Sequence, residues 1–277
     1  MDYPLSVLAD GLLNGLLLGL VSLGYFMVYG STRILNFAHG EVVTIAAYAA
    51  LLAVGHRSPA VGLGVALGVG ACAGACSAVL IQTVFYRPLR GRGRMELLIV
   101  ALAASAVLRT LLTVCAGGFD RVFPTRDLQG SLFAALPYVS PVLLVLGIHL
   151  FLKKTTTGLV MRSLAEKPGT AALFGHDEQA VIRTAFLLGG VLAGVGGVFW
   201  AMKYNLRPDM GSDLGIKAFA SSVVGGIGSL RGTLVAALGV GLLASLATAI
   251  VGGQFRDIVV YAAMAVVLAC KPRGLFS

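Results

Sequence analysis

The chain has 277 residues, 57% of them hydrophobic and 12% charged, with a mean hydropathy of +0.90. So few charges cannot cover a soluble surface of this size, which excludes a soluble globular protein and predicts a polytopic membrane chain. The formal net charge of +9 does not point to nucleic acid, because the basic residues cluster at alternate ends of apolar runs. The clusters are Arg87, Arg90, Arg92 and Arg94, then Lys153, Lys154, Arg162, Lys167 and Arg183, then Lys271 and Arg273. This is the positive-inside pattern, and it orients the chain.

Apolar runs near the ~20 residues needed to cross a bilayer recur along the whole length. They predict one all-α transmembrane domain over 1–277 and no soluble domain. The runs fall at 5–29, 37–54, 60–83, 96–116, 135–152, 184–202, 214–229, 232–251 and 257–270, with the N-terminus outside and the C-terminus cytoplasmic. About eight to ten spans fit this pattern, because glycine and polar residues interrupt 37–54 and 214–251, which read equally as re-entrant or broken helices. The first run lacks a basic n-region and an A-x-A site, so it reads as a retained span. Gly11, Gly15 and Gly19, and Gly62, Gly64, Gly68, Gly70 and Gly74, are spaced to let transmembrane helices approach closely. Cys72, Cys76, Cys115 and Cys270 sit in apolar runs and read as small packing residues. Cys72 and Cys76 share a helix face, but without His or further Cys they make a poor metal site. No metal or cofactor is expected.

The first interrupted segment is Asn36-Phe37-Ala38-His39-Gly40-Glu41. Ionisable groups at the edge of a span cost a few kcal/mol unless they find partners or water. The segment therefore either locks a helix start beside a translocation path or lines that path. His39 and Glu41 are two residues apart, on different helix faces, which disfavours a joint metal site or acid–base pair; H-E-x-x-H is absent.

The polar run Lys153–Arg183 follows. Pro168 can open a short helix and Gly175 can close it in the left-handed conformation. The expected exposed body is Ala171, Ala172, Leu173 and Phe174, a knob suited to a groove on a partner; a solvated connector is the alternative.

The second interrupted segment is Val224-Gly225-Gly226-Ile227-Gly228-Ser229-Leu230-Arg231-Gly232. It lacks G-K-[ST], a preceding soluble strand and the G-x-G-x-x-G spacing, so it is not a phosphate loop. Nor is there a G-x-S-G motif for an intramembrane serine protease. Four glycines permit an unwound stretch, tolerable in a membrane where the freed backbone groups are buried in protein or face a watery cavity. Paired interruptions of this kind point to a transport path, with close helix packing as the alternative. The candidate path or gate residues are Asn36, His39, Glu41, Gly225, Gly226, Gly228 and Ser229.

Taken together, these residues resemble the permease subunits of the ABC importers for leucine, isoleucine and valine, a family with relatives for urea, short amides and other amino-acid-like solutes. The resemblance covers nearly the whole chain. It is carried by Asn14-Gly15 with Gly19, Gly24 and Val28-Tyr29-Gly30, by Ile34-Leu35-Asn36-Phe37-Ala38-His39-Gly40-Glu41 and by Tyr48. It continues through Arg162, Ala165-Glu166, Ala171 and Gly175, Lys217-Ala218-Phe219, Val224 to Ser229 with Gly232, and Pro272 with Gly274-Leu275-Phe276.

The resemblance implies the ABC importer permease fold in a bacterial-type inner membrane, and the length looks more like the shorter of the two family subunits. It implies as partners a second permease subunit, usually a different and longer one, two ATP-binding subunits and an extracytoplasmic solute-binding protein. It also implies a coupling helix within Gly158 to Gly175, seated in an ATPase groove, with Arg162, Ala165, Glu166, Pro168, Ala171, Phe174 and Gly175 as the coupling residues. Three features depart from the family pattern: His176 where Ile or Val is usual, Lys167 where Asn or Asp often precedes the proline, and the acids Asp177-Glu178. The chain carries no Walker motif, so it is expected not to be an enzyme, and ATP hydrolysis falls to partners. The rival reading is a secondary transporter or channel with an intramembrane ion relay. Its candidates, Glu41, Glu96, Arg109 and Lys217, are scattered and without an obvious partner in the sequence.

Overall fold

The computed structural model describes residues 2–33, 35–55, 59–89, 92–123, 131–166, 171, 175–226, 228–272 and 274–276. Regular structure among these is helical, apart from one isolated bridge between Arg121 and Leu206. The helices are α1 (Asp2–Thr32), α2 (His39–Val54), α3 (Pro59–Ile81), α4 (Arg94–Ala116), α5 (Ser131–Lys154), α6 (Thr156–Glu166), α7 (Glu178–Tyr204), α8 (Met210–Gly225), α9 (Leu230–Val251) and α10 (Arg256–Cys270). A π-helical turn over Gln82–Tyr86 and a 3-10 turn over Arg87–Leu89 prolong α3.

Each expected apolar run lies on one helix, and α6 is an additional helix inside the polar run. Among the described residues, six helical stretches are long and apolar enough to cross a membrane: Tyr3–Thr32, Val61–Leu89, Met95–Ala116, Ala135–Lys154, Glu178–Tyr204 and Leu230–Val251. The other three helices on apolar runs are shorter. α2, α8 and α10 have 16, 16 and 15 residues, roughly 24 Å of helix or less against a hydrocarbon core of ~30 Å.

α1 and α7 form the centre. Their most apolar windows are 78% and 72% buried, against 17% for those of α4 and α5. α1 packs along α9, and α7 packs along α3; α2 lies on α3 and α7, while α8 lies on α9 and α1. One arrangement of neighbours thus occurs twice, with α1 meeting α7 and α2 meeting α8 between the two halves. Apolar surface gives helices no drive to associate in lipid, so close backbone approach must supply the contact energy. Glycine provides it here. A Cβ on Gly15 would come within 2.7 Å of Leu238 Cα, and one on Gly74 or Gly194 would strike the carbonyl oxygen of Gly190 or Gly70. Gly64 and Gly68 face open space, so the close-packing role expected of the α3 glycines falls to Gly70 and Gly74.

The four cysteines are free and exposed on the outside of the bundle, which corrects their expected packing role. They share that surface with Ile99, Leu102, Leu111 and Val114 of α4 and Val139, Leu143 and Leu146 of α5.

The bundle has two distinct ends. α1 begins at the end where Lys203 Nζ lies 3.0 Å from Asp10 Oδ1, here the distal end. It finishes beside α6, where the Arg33 guanidinium donates to the backbone carbonyls of Ala165 and Glu166. Gly74→Ala should lower the thermal unfolding midpoint of the detergent-solubilised protein by several degrees, because the new methyl must displace the α7 backbone. Gly64→Ala should leave the midpoint unchanged or raise it by up to about 1 kcal/mol equivalent through helix propensity. Equal losses from both would remove the close-approach role.

Candidate translocation path and coupling site

α2 starts without a side-chain cap, since Ala38 occupies the N-cap position. Its start is fixed by the His39 N–H donating to the Asn36 carbonyl at 3.1 Å and by packing against α8. Gly40 and Gly211 pass backbone against backbone, and a Cβ on either would strike the carbonyl of the other. One turn on, Thr44 Oγ1 accepts from the Gly211 N–H at 3.0 Å, satisfying a donor at the start of α8 that has no partner within its own helix.

The polar residues of this segment diverge. Glu41 is fully buried, and its Oε1 accepts from Ser105 Oγ of α4 at 3.0 Å and from Ser212 Oγ of α8 at 2.8 Å. His39 points into α1, where its ring meets Tyr25 at 4.7 Å between centroids and fills the space left by Gly24. Asn36 Oδ1 accepts from the Tyr86 hydroxyl at 3.0 Å. The structure therefore separates the three candidates: His39 and Glu41 hold α2 against α1, α4 and α8, and Asn36 faces a cavity. Tyr86 carries no motif. Its position comes from the π-helical turn, whose extra residue per turn re-aims the end of α3.

The second interruption is a break of a few residues between α8 and α9. Gly226 and Gly228 have φ of +99° and +122°, where a side chain is strained and glycine is not. Part of the backbone around the break is hydrogen-bonded. Ser229 N–H donates to the Gly226 carbonyl at 3.0 Å, and Leu275 N–H from the C-terminal tail donates to Val224 at 2.8 Å. Ser229, expected on the path, is the N-cap of α9, its Oγ accepting from the Gly232 N–H at 3.1 Å. Gly225 is pressed against Gly232. Gly228 has free space around it and lines a cavity of about 370 Å³ with Arg33, Arg162, Ala165 and Glu166. The break and three of the coupling candidates thus share one cavity.

α6 is an 11-residue amphipathic helix. It buries Val160, Met161 and Leu164, sets Gly158 against the end of α5 and exposes Arg162 and Glu166. Ala171 is fully buried in the same core cluster as Leu164 and Val181, which corrects its expected place on an exposed knob. Its carbonyl accepts from His176 N–H at 3.0 Å. Pro168, Ala172, Leu173 and Phe174 lie outside the described residues. Gly175 has the left-handed φ expected of it, +68°. Asp177 caps α7 by accepting from the Gln179 N–H at 3.0 Å, a local reason for one departure from the family pattern.

Lys217 at the distal end and Glu96 at the opposite end both have partners. Lys217, with its side chain 8% exposed, places Nζ 3.0 Å from Asp213 Oδ2 and 3.0 Å from Asp257 Oδ1. Asp257 also receives Arg256 Nε at 3.0 Å. Glu96 accepts from the Gly93 N–H at 3.2 Å and so caps its own helix. Arg109 lies in an open cleft with Asp120, Arg207 and Asp209. Asp257 comes from α10, whereas Asp213 stands one turn before Lys217 on α8, a spacing already visible in the sequence.

Helices that cross the bundle, two interrupted segments meeting between them and an amphipathic helix at one end define a multi-pass membrane protein of the discontinuous-helix transport class. The family model for the branched-chain amino acid transport system permease component matches residues 7–268, and the chain belongs to that family. It is 31% identical to the high-affinity branched-chain amino acid transport system permease protein BraD of Pseudomonas aeruginosa, over 99% of this chain and 95% of that one. Identity to the corresponding protein LivH of Escherichia coli K12 is 29% over the same shares. The probable LivH of Methanocaldococcus jannaschii is 30% identical over 90% of this chain and 82% of its own. No solved structure matches.

Replacing Lys217 by Met should destabilise the protein by about 2 kcal/mol in thermal unfolding, less than for a fully buried pair because Asp213 and Asp257 are part-exposed. Adding Asp257→Asn should recover part of that loss. A double variant no better than the single would show that the pair is not coupled.

Proposed function

We propose that the chain is the permease subunit of an ATP-driven importer for branched-chain or related amino acids, taking solute from an extracytoplasmic binding protein. The observation that carries this is its near full-length similarity to permease proteins named for that transport. The sequence has no Walker motif, so the energy comes from two ATP-binding subunits, and a second, longer permease completes the pore. The membrane is a bacterial-type inner membrane. The α6 end is cytoplasmic, a reading supported by Arg33, Lys153, Lys154, Arg162, Arg231 and Lys271 at that end and by Asp10, Asp120, Asp209, Asp213 and Asp257 at the other.

ATP binding and hydrolysis in the partners moves the 153–183 region, in which Arg162, Ala165, Glu166, Pro168, Phe174 and Gly175 make the contact and Ala171 supports it from beneath. The motion passes into the buried face of α6 and through the Arg33 guanidinium to the end of α1. α1 packs against α7, α8 and α9, so a shift of α1 bears on both interrupted segments, and access alternates between the two ends. The ion pairs that hold Lys217 favour this mechanical coupling over an ion relay.

The complex purified with its associated chains should accumulate leucine in liposomes only when ATP and the binding protein are both supplied; uptake without ATP would overturn the reading. Gly228→Trp should insert normally yet cut uptake by at least about tenfold, since the indole enters the cavity shared with α6 and the residue must hold a strained φ. Unchanged flux would remove Gly228 from the path.

A further inference from the structure

A second, smaller cavity lies between α1, the residues ahead of α2, and the helices α8 and α9 that flank the second interruption. Its apolar wall includes Tyr25 and Tyr29 of α1 and Phe219 of α8, and its polar groups are Asn36 ahead of α2, Ser222 of α8 and Thr233 in the first turn of α9. Asn36 and Thr233 are 1% and 0% exposed, and Asn36 Nδ2 and Thr233 Oγ1 have no hydrogen-bond partner among the described residues. A buried polar group left without a partner costs about 1–3 kcal/mol. Five other buried side-chain atoms among the described residues also lack a partner, but Asn36 Nδ2 and Thr233 Oγ1 belong to residues lining one cavity, each at a helix start, and together they offer hydrogen bonds to a polar occupant.

The rest of the lining narrows the occupant's chemistry. No charged side chain lines the cavity. The nearby ammonium of Lys217 is held by Asp213 and Asp257. A net charge here would be buried without a counter-ion, at prohibitive cost, whereas a zwitterion or a neutral polar molecule is met by dipoles. The Phe219 ring lies 5.9 Å from Tyr25 and 5.6 Å from Phe37 between centroids, so compact apolar groups pack against aromatic faces. In this conformation the rings leave room for about one water molecule.

We propose that this cavity is the closed form of a solute site within the permease, for a small net-neutral molecule of the α-amino-acid class with a compact apolar side chain. The inference rests on the importer reading and deepens it. Asn36 Nδ2 donates to a carboxylate oxygen, Thr233 Oγ1 and Ser222 Oγ accept from the ammonium, and Tyr25 and Phe219 part to admit the side chain. Both polar anchors stand on segments that end in a break, so they move apart without bending a helix.

The test uses the complete importer in proteoliposomes: both permeases, the ATP-binding chains and the binding protein. Thr233→Val keeps the shape and removes the hydroxyl. Asn36→Asp keeps an oxygen for the Tyr86 hydroxyl and replaces the donor with a charge. Each should lower leucine taken up per ATP hydrolysed by about tenfold, the loss expected when a built hydrogen bond to solute is removed. A merely structural role would lower uptake and hydrolysis together and leave that ratio alone, which would count against the proposal. Phe219→Ala should shift the valine-to-leucine uptake ratio toward leucine by about threefold or more; the binding protein is the same throughout, so its own selection cancels. Wild-type uptake per ATP in Thr233→Val and Asn36→Asp, with an unchanged ratio in Phe219→Ala, would overturn the site while the importer reading stands. If the wild-type assembly carries no amino acid at all, the importer reading fails and takes the ligand class with it.

Discussion

The contact between Gly40 and Gly211 fixes the middle of this protein. In lipid, two short helices gain little by burying apolar side chains against each other, and they hold together only if their backbones come close enough for dense van der Waals contact. With no Cβ on either residue, α2 and α8 cross carbonyl to carbonyl. The crossing brings Thr44 to a free donor of α8 and Ser212 to the carboxylate of Glu41. Adding a methyl to either glycine would part the helices and strand those polar groups in an apolar interior.

The same principle spreads outward from that crossing. α1 and α7 meet at Gly24 and Gly189, α3 and α7 at Gly74 and Gly190, and α1 and α9 at Gly15 and Gly241. Between these contacts several buried polar groups are bonded across helices, as at Glu41 Oε1, Lys217 and the Asn36–Tyr86 pair. Close glycine contacts and the hydrogen bonds between them tie these helices tightly to one another. Such packing suits the proposed drive from one end through α6, Arg33 and α1.

Much of the architecture was legible in residue order. The apolar runs became helices at nearly the expected places, the break after Gly225 fell where four glycines stand together, and Gly175 took its left-handed turn. These features are local: hydropathy over a window and the φ freedom of glycine do not need distant neighbours. The site was less legible. Ser229 proved to be a helix cap and Ala171 a buried support, because a serine before a helix and an alanine in a polar run each fit more than one environment. Tyr25 and Thr233, which line the small cavity, belong to no motif, and the Lys217-Ala218-Phe219 motif gives no sign that Phe219 faces it.

By itself the sequence determined that this is a multi-pass helical membrane protein, where its chain is interrupted and to which family it belongs. Composition and backbone preference act residue by residue and are visible in one dimension. Only the tertiary structure decided which polar groups meet. Glu41 finds Ser212, Lys217 finds Asp257, and Asn36 shares a cavity with Thr233, because each pair is joined by helices that touch in space after long excursions of chain. In a bilayer, where an unpartnered polar group finds no water, those meetings decide which residues brace the bundle and which remain free to hold a solute.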